Sequence, residues 1–170
     1  AGISFEHNNG ATGDKLLPES MGSGVAFFDF DDDGDQDLLF TNGVWWPWDV
    51  KKRPELKPTT AALYRNNGEG QFEDVTDGSG LDVAFYGMGV AIGDFDNNGL
   101  PDVYQTAVGV NRLFQNLGNG KFADVTQQTG VAGGDKEWST SAAFADIDND
   151  GDLDLFVCNY VRWSREIDFE

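Results

Sequence analysis

Short apolar runs alternate with polar, glycine-punctuated breaks along the whole chain. Residues 24–28 (Gly-Val-Ala-Phe-Phe), 89–93 (Gly-Val-Ala-Ile-Gly) and 141–145 (Ser-Ala-Ala-Phe-Ala) each lead into an acidic stretch; residues 37–41, 102–106 and 154–160 each leave one. Runs this short, rich in β-branched and aromatic residues and bounded by Gly, Asn and Asp, predict strands. Residues 63–66 and 71–76 flank a Gly-rich turn, as do 111–116 and 121–126, which is a hairpin signal. No stretch carries a long 3.6-residue apolar period with caps, so helix content is expected to be low.

The pattern repeats. The acidic stretches begin at Asp29, Asp94 and Asp146, and the segment Leu63 to Thr76 matches Leu113 to Thr126 at an offset of 50 residues. The unit is therefore about 50 residues, with extra sequence in the first copy before its hairpin. A fixed period with four strands per unit predicts an all-β fold of four-stranded antiparallel blades, a β-propeller. The expected blades are 22–76, 87–126 and an incomplete 139–170. The small residues ahead of each first strand (Gly22 and Gly24, Gly87 and Gly89, Ser139 and Ser141) suit a crowded innermost position. A β-sandwich gives no reason for a motif at a fixed period.

The acidic stretches read Asp-Phe-Asp-Asp-Asp-Gly-Asp-Gln-Asp (29–37), Asp-Phe-Asp-Asn-Asn-Gly-Leu-Pro-Asp (94–102) and Asp-Ile-Asp-Asn-Asp-Gly-Asp-Leu-Asp (146–154). Each places oxygen-bearing side chains at positions 1, 3, 5 and 9 and glycine at 6. A hard divalent cation takes six to eight oxygens at short range, and a tight glycine turn lets one segment supply most of them. The loops are not EF-hands. That motif spends a bidentate Glu at position 12, which here is Phe40, Gln105 or Val157, and its flanks are helical. Closure must come instead at position 9, with the position-7 carbonyl (Asp35, Leu100, Asp152) completing the sphere. The expected cofactor is Ca²⁺, about three ions, in a mainly structural role.

Charge narrows the partners. The 170 residues carry 11 basic and 30 acidic side chains, a formal net charge of −19. Three bound Ca²⁺ would leave about −13, so neither nucleic acid nor an anionic membrane surface is expected to bind. No apolar stretch approaches the ~20 residues that span a bilayer. The single cysteine, Cys158, lies in an apolar run and reads as a small buried hydrophobe or the partner of a cysteine outside this segment. Calcium sites point to an extracellular or periplasmic, secreted setting, where the ion is abundant.

Val-Ala-Phe-Phe-Asp-Phe-Asp-Asp-Asp-Gly (25–34) and its two echoes resemble the FG-GAP or VCBS repeat, the calcium-binding blade of integrin-α-like propellers. The stretch from Leu17 to Ala26 and the ending Cys-Asn-Tyr-Val-Arg-Trp (158–163) are similar to the ASPIC/UnbV group, which resembles cartilage acidic protein. The resemblance implies a seven-bladed propeller with a calcium loop between the first and second strands of many blades, of which about two and a half are present. It implies side-chain ligands Asp29, Asp31, Asp33 and Asp37; Asp94, Asp96, Asn98 and Asp102; and Asp146, Asp148, Asp150 and Asp154. The second set has Asn98 and Pro101 and one carboxylate fewer, so it is expected to bind calcium most weakly. An open arc would leave strand edges unpaired, so the segment is expected to belong to a longer chain, with self-association of arcs as the rival.

Outside the loops, the insertion 43–54 holds Trp45, Trp46 and Trp48 beside Lys51, Lys52 and Arg53. Exposed, these residues would stack on a sugar or anchor a protein partner; buried, they would cover the neighbouring blade. His7 beside Glu6 reads as an ordinary residue rather than an acid–base pair. Glu19 and Glu137 precede first strands and read as hydrogen-bonded structural groups rather than lining of an axial opening. The segment offers no nucleophile motif and a single histidine, and its carboxylates are mostly committed to metal. The reading is a calcium-stabilised binding, adhesion or protein-interaction scaffold for a protein or glycan ligand, or a subunit of a larger assembly, and not an enzyme. The alternative is a carbohydrate-active enzyme, a polysaccharide lyase or hydrolase, with its site in further blades.

Overall fold

The structure, a computed structural model, describes residues 1–169. Strands form where the apolar alternation placed them. Strands β1 (Val25–Phe28), β2 (Asp37–Phe40), β3 (Ala62–Asn66) and β4 (Phe72–Asp74) make one antiparallel sheet in that order. Strands β5 (Gly87–Gly93), β6 (Asp102–Ala107), β7 (Arg112–Asn116) and β8 (Phe122–Asp124) make a second, and β9 (Glu137–Ala145) with β10 (Asp154–Arg162) a third. The two complete sheets share one register: Leu38 faces Tyr64 and Leu39 faces Leu63, as Val103 faces Phe114 and Tyr104 faces Leu113.

The sheets meet through their first strands. Gly24 donates its N–H to Met88 O at 2.5 Å, and a Cβ on Gly24 would lie 3.1 Å from that oxygen. A Cβ on Gly89 would lie 2.4 Å from Thr140 O. Gly89 thus leaves no room for a side chain, and Gly24 is tight for one. In the first two sheets a threonine completes the approach: Thr41 Oγ1, one residue past β2, accepts from Gly24 N, and Thr106 Oγ1, near the end of β6, from Gly89 N, both at 2.8 Å. Three sheets packed side by side through their inner strands are consistent with part of a β-propeller.

Alternation along the strands then builds two inter-sheet cores. Phe28, Phe30, Leu39 and Leu63 of the first unit pack on Leu81, Val103, Phe114 and Phe122. On the other side of the second sheet, Ala91, Tyr104 and Leu113 pack on Ala142, Phe144, Leu155 and Val157. Each fully buried side chain of this size contributes roughly 1.5–3 kcal/mol.

The segment ahead of each inner strand returns to the outer strand of its own sheet. Phe72 N donates to Ala1 O at 2.8 Å, and Phe122 N to Ser79 O at 2.7 Å. The following glycines sit at φ 78° (Gly2) and 93° (Gly80), and a Cβ there would come within 2.4 and 2.1 Å of Phe72 O and Phe122 O.

Helix is confined to short pieces: a 3-10 turn (Leu17–Ser20), α1 (Pro47–Lys52), α2 (Thr126–Thr129) and α3 (Arg165–Asp168). The first helix, α1, lies in the insertion, where no helical period was legible. Pro47 opens it, and Lys51 and Lys52 fall in its last turn. Among the described residues no helix is long and apolar enough to cross a membrane.

Cys158 departs from the reading of a small buried hydrophobe. Strand β10 is apolar on both faces, so its run hid a period of two. Leu155 and Val157 face the second sheet, whereas Phe156, Cys158 and Tyr160 are exposed, and the thiol is free.

Candidate metal centres

The three acidic stretches fold into the same turn. Position 4 is left-handed in each, at φ 60° (Asp32), 56° (Asn97) and 61° (Asn149), and the position-6 glycines follow at 92° (Gly34), 88° (Gly99) and 94° (Gly151). Asp and Asn tolerate the left-handed region because a short polar side chain can bond locally. The sequence pattern contained this requirement unread: only Asp or Asn stands at position 4.

Hydrogen bonds repeat with the backbone. The position-1 carboxylate accepts from the N–H groups of positions 5 and 6: Asp29 from Asp33 and Gly34 at 3.1 and 2.8 Å, Asp94 from Asn98 and Gly99 at 3.0 and 2.8 Å, Asp146 from Asp150 and Gly151 at 3.2 and 3.1 Å. The position-5 oxygen accepts from the N–H of position 7, pairing Asp33 with Asp35, Asn98 with Leu100 and Asp150 with Asp152 at 2.8–2.9 Å.

Position 9 acts as a strut. Asp37 and Asp102 are both 0% exposed. Their Oδ2 atoms accept from Phe30 N and Phe95 N at 3.1 and 2.9 Å, and their Oδ1 atoms from Asn66 N and Asn116 N at 2.8 and 2.7 Å. The loop is thereby tied to the hairpin of its own sheet. Burial pushes both carboxyls up to about 6, against the pull of those N–H donors. Asp154 keeps the loop bond, accepting from Ile147 N at 3.0 Å, but is exposed.

Carboxylates converge in every loop. One oxygen each from Asp29, Asp31 and Asp33 lie within 4.8 Å of one another, and the same holds for Asp94, Asp96 and Asp102 and for Asp146, Asp148 and Asp154. These sets fit a hard cation on the chemistry of their donors. The first adds a further sign: Asp31 Oδ1 is buried without a hydrogen-bond partner among the described residues. Burial and the carboxylates of Asp33 and Asp29 hold the Asp31 carboxyl above its usual range. The remaining residues of the three ligand sets stand in the same turns: Asp37 as a buried strut, Asn98 bonded to Leu100 N, Asp150 bonded to Asp152 N. At position 7, the Asp35 carboxylate lies beside Gly68, Leu100 is half-buried, and Asp152 accepts from Asn97 Nδ2 at 2.8 Å.

The tryptophans divide. Trp46 is 5% exposed and has Tyr86, Trp163 and Trp48 at ring-centroid distances of 4.6, 4.8 and 5.3 Å. Arg165 lies over Trp48 at 4.9 Å. These rings are spent on each other, joining the insertion to the strand entries and exits of the other two sheets. Trp45, half-buried, lines an open apolar groove of about 490 Å³ with Val44, Pro47, Val50, Leu56 and Pro58. Lys51 borders that groove, and Lys52 and Arg53 are exposed beside it.

His7 pairs with Ser23, Nε2 to Oγ at 2.9 Å. Glu19 accepts from Trp46 Nε1 at 3.3 Å and Glu137 from Gly134 N at 2.9 Å. All three have structural partners.

A protein of the frog Xenopus tropicalis, cartilage acidic protein 1, is 36% identical over 103 residues. That match covers 57% of this chain and 15% of the frog protein, so the chain spans a small part of its relative. The FG-GAP-like repeat matches twice, over residues 56–105 and 106–157, windows that take in the second and third acidic loops with both hairpins. On that match over more than half its length, the chain belongs to the FG-GAP-like repeat family.

Proposed function

We propose that this chain is part of a calcium-stabilised β-propeller, blades 22–76, 87–126 and 139–170, that serves outside the cell as a non-enzymatic scaffold for a protein or glycan partner. The observation that supports it most is the threefold recurrence of one loop. Backbone angles and N–H donors repeat at positions separated by 65 and 52 residues, and each loop gathers three carboxylates, at positions 1, 3 and 5 in the first and at 1, 3 and 9 in the other two. Solvated acidic turns have no reason to repeat in this detail.

The metal's role follows from electrostatics. Two carboxylates 4 Å apart near a surface repel by on the order of 4 kcal/mol. Bare loops must spread or take up protons, whereas a divalent cation turns the repulsion into a clasp between the first and second strands of each sheet. Asp29, Asp31, Asp33 and Asp37 would hold the first ion, Asp94, Asp96, Asn98 and Asp102 the second, and Asp146, Asp148, Asp150 and Asp154 the third, with carbonyls at Asp35, Leu100 and Asp152. Ligand shells drawn mainly from protein favour a structural ion over a catalytic one.

The partner surface we assign to the groove at Trp45, with Lys51, Lys52 and Arg53 as the basic margin of an acidic molecule. Trp46 and Trp48 are left out, since their rings are occupied.

Thermal melts in excess Ca²⁺ and in EDTA test the metal reading. At a hundredfold excess over Kd each filled loop adds about 2.7 kcal/mol, or about 5–10 °C in a chain of this size. Identical melting curves in the two buffers would remove the calcium role. Glycan arrays and partner pull-downs with Trp45→Ala and Lys51→Glu test the surface, and unchanged binding would end that assignment.

A further inference from the structure

We infer that the acidic loops form one coupled cation array, wired by the amides of Asn116 and Asn97. This rests on the cation reading above.

Asn116 is 1% exposed and belongs to the hairpin of the second sheet, yet it touches two loops. Its N–H donates to Asp102 Oδ1 at 2.7 Å, and its Nδ2 to Pro101 O at 3.1 Å, both in the second loop. The same Nδ2 donates to Phe30 O at 2.9 Å, in the first loop. Phe30 stands between Asp29 and Asp31, so Asn116 grips the backbone joining two carboxylates of one triad while holding the strut of the next. Asn66, its counterpart in the first sheet, spends its Nδ2 at home on Gln36 O at 3.1 Å.

The second and third loops are joined differently. Asn97, the left-handed residue between Asp96 and Asn98, donates Nδ2 to Asp152 Oδ1 at 2.8 Å and to Gly151 O at 3.4 Å. The first loop has Asp32 there, a carboxylate with nothing to donate, and the second loop has Leu100 where Asp152 stands. No such bond can form between the first two loops, and Asn116 supplies their link instead.

A cation that gathers one triad fixes the carbonyl or carboxylate held by the neighbour's amide. Part of the ordering needed by the next loop is then already done, and its cation binds more tightly. The effect must be reciprocal between loops.

The test is calorimetric Ca²⁺ titration of the full chain with its first loop disabled by Asp29→Ala and Asp31→Ala, leaving two linked sites. Asn97→Gly keeps the left-handed angle and deletes the amide. It is expected to weaken the second binding step relative to the first by about five- to tenfold. Asp152→Ala, which removes the acceptor from the opposite loop, should do the same, while Asp152→Asn, which keeps an oxygen, should preserve the step ratio. A step ratio unchanged by both Asn97→Gly and Asp152→Ala overturns the coupling and leaves the cation sites standing. A flat isotherm in the unmutated chain overturns both. For Asn116, circular dichroism first establishes that Asn116→Ser folds. In that folded variant, disabling the first loop should no longer change calcium affinity at the second; an undiminished change refutes its part.

Discussion

Replacing Trp46 by alanine tests whether the insertion is a structural joint. The indole is 95% buried and packs against Tyr86, Trp163 and Trp48 at 4.6–5.3 Å. Tyr86 leads into β5 and Trp163 follows β10, so the hole left by truncation is walled by three separate chain segments, none free to collapse alone. Large-to-small changes at such sites cost roughly 3–5 kcal/mol, and aromatic pairs add about 0.5–1.5 kcal/mol each. A loss of about 5 kcal/mol is expected, comparable with the whole stability of a marginal domain. Urea unfolding in saturating Ca²⁺, followed by near-ultraviolet circular dichroism, measures it. Trp45→Ala, at the half-buried position, is the internal control and should cost about 1 kcal/mol or less. A Trp46→Ala loss below about 1 kcal/mol, or equal losses at both positions, would refute the joint.

Three further outcomes follow from the same geometry. In EDTA, stability should rise as pH falls from about 7 to 4. Asp37 and Asp102 are held at about 6 when folded, so the folded chain binds more protons in that window, worth up to about 3 kcal/mol each; melting points that fall steadily over that range would contradict it. Gly89→Ala should destabilise by about 2 kcal/mol or more, because its Cβ would meet Thr140 O at 2.4 Å, and a neutral effect would mean the inner strands stand further apart. The second loop, with Asn98 for a carboxylate, should bind Ca²⁺ more weakly than the other two when each is titrated alone in chains with the other loops disabled, and a tighter second loop would reverse the ranking.

The strands were legible because their causes are local. Period-two alternation, glycine-rich turns and the nine-residue acidic spacing all lie within a few residues, and every strand but β9, which starts four residues early, begins and ends within two residues of expectation. What escaped depends on distant neighbours. The tryptophan run allowed burial against the neighbouring blade but did not single out Trp46 as the enclosed ring or Tyr86 and Trp163 as its walls. The apolar run at Cys158 did not say which of its faces would meet the second sheet. Asn116 looked like one more hairpin asparagine; its reach to Phe30 exists only because two sheets stand side by side. The left-handed residues Asp32, Asn97 and Asn149 were readable in principle, from the restriction of position 4 to two residue types.

The segment that recurs in the sequence is out of phase with the sheet that folds. The family match 56–105 takes β3 and β4 from one sheet and β5 and β6 from the next. Because the β2–β3 and β6–β7 registers coincide, the back half of either sheet is cut to fit the front half of the other. Duplicating or deleting one such segment by recombination would therefore join halves whose strands already share one pairing register, so the new seam would be built like those already present.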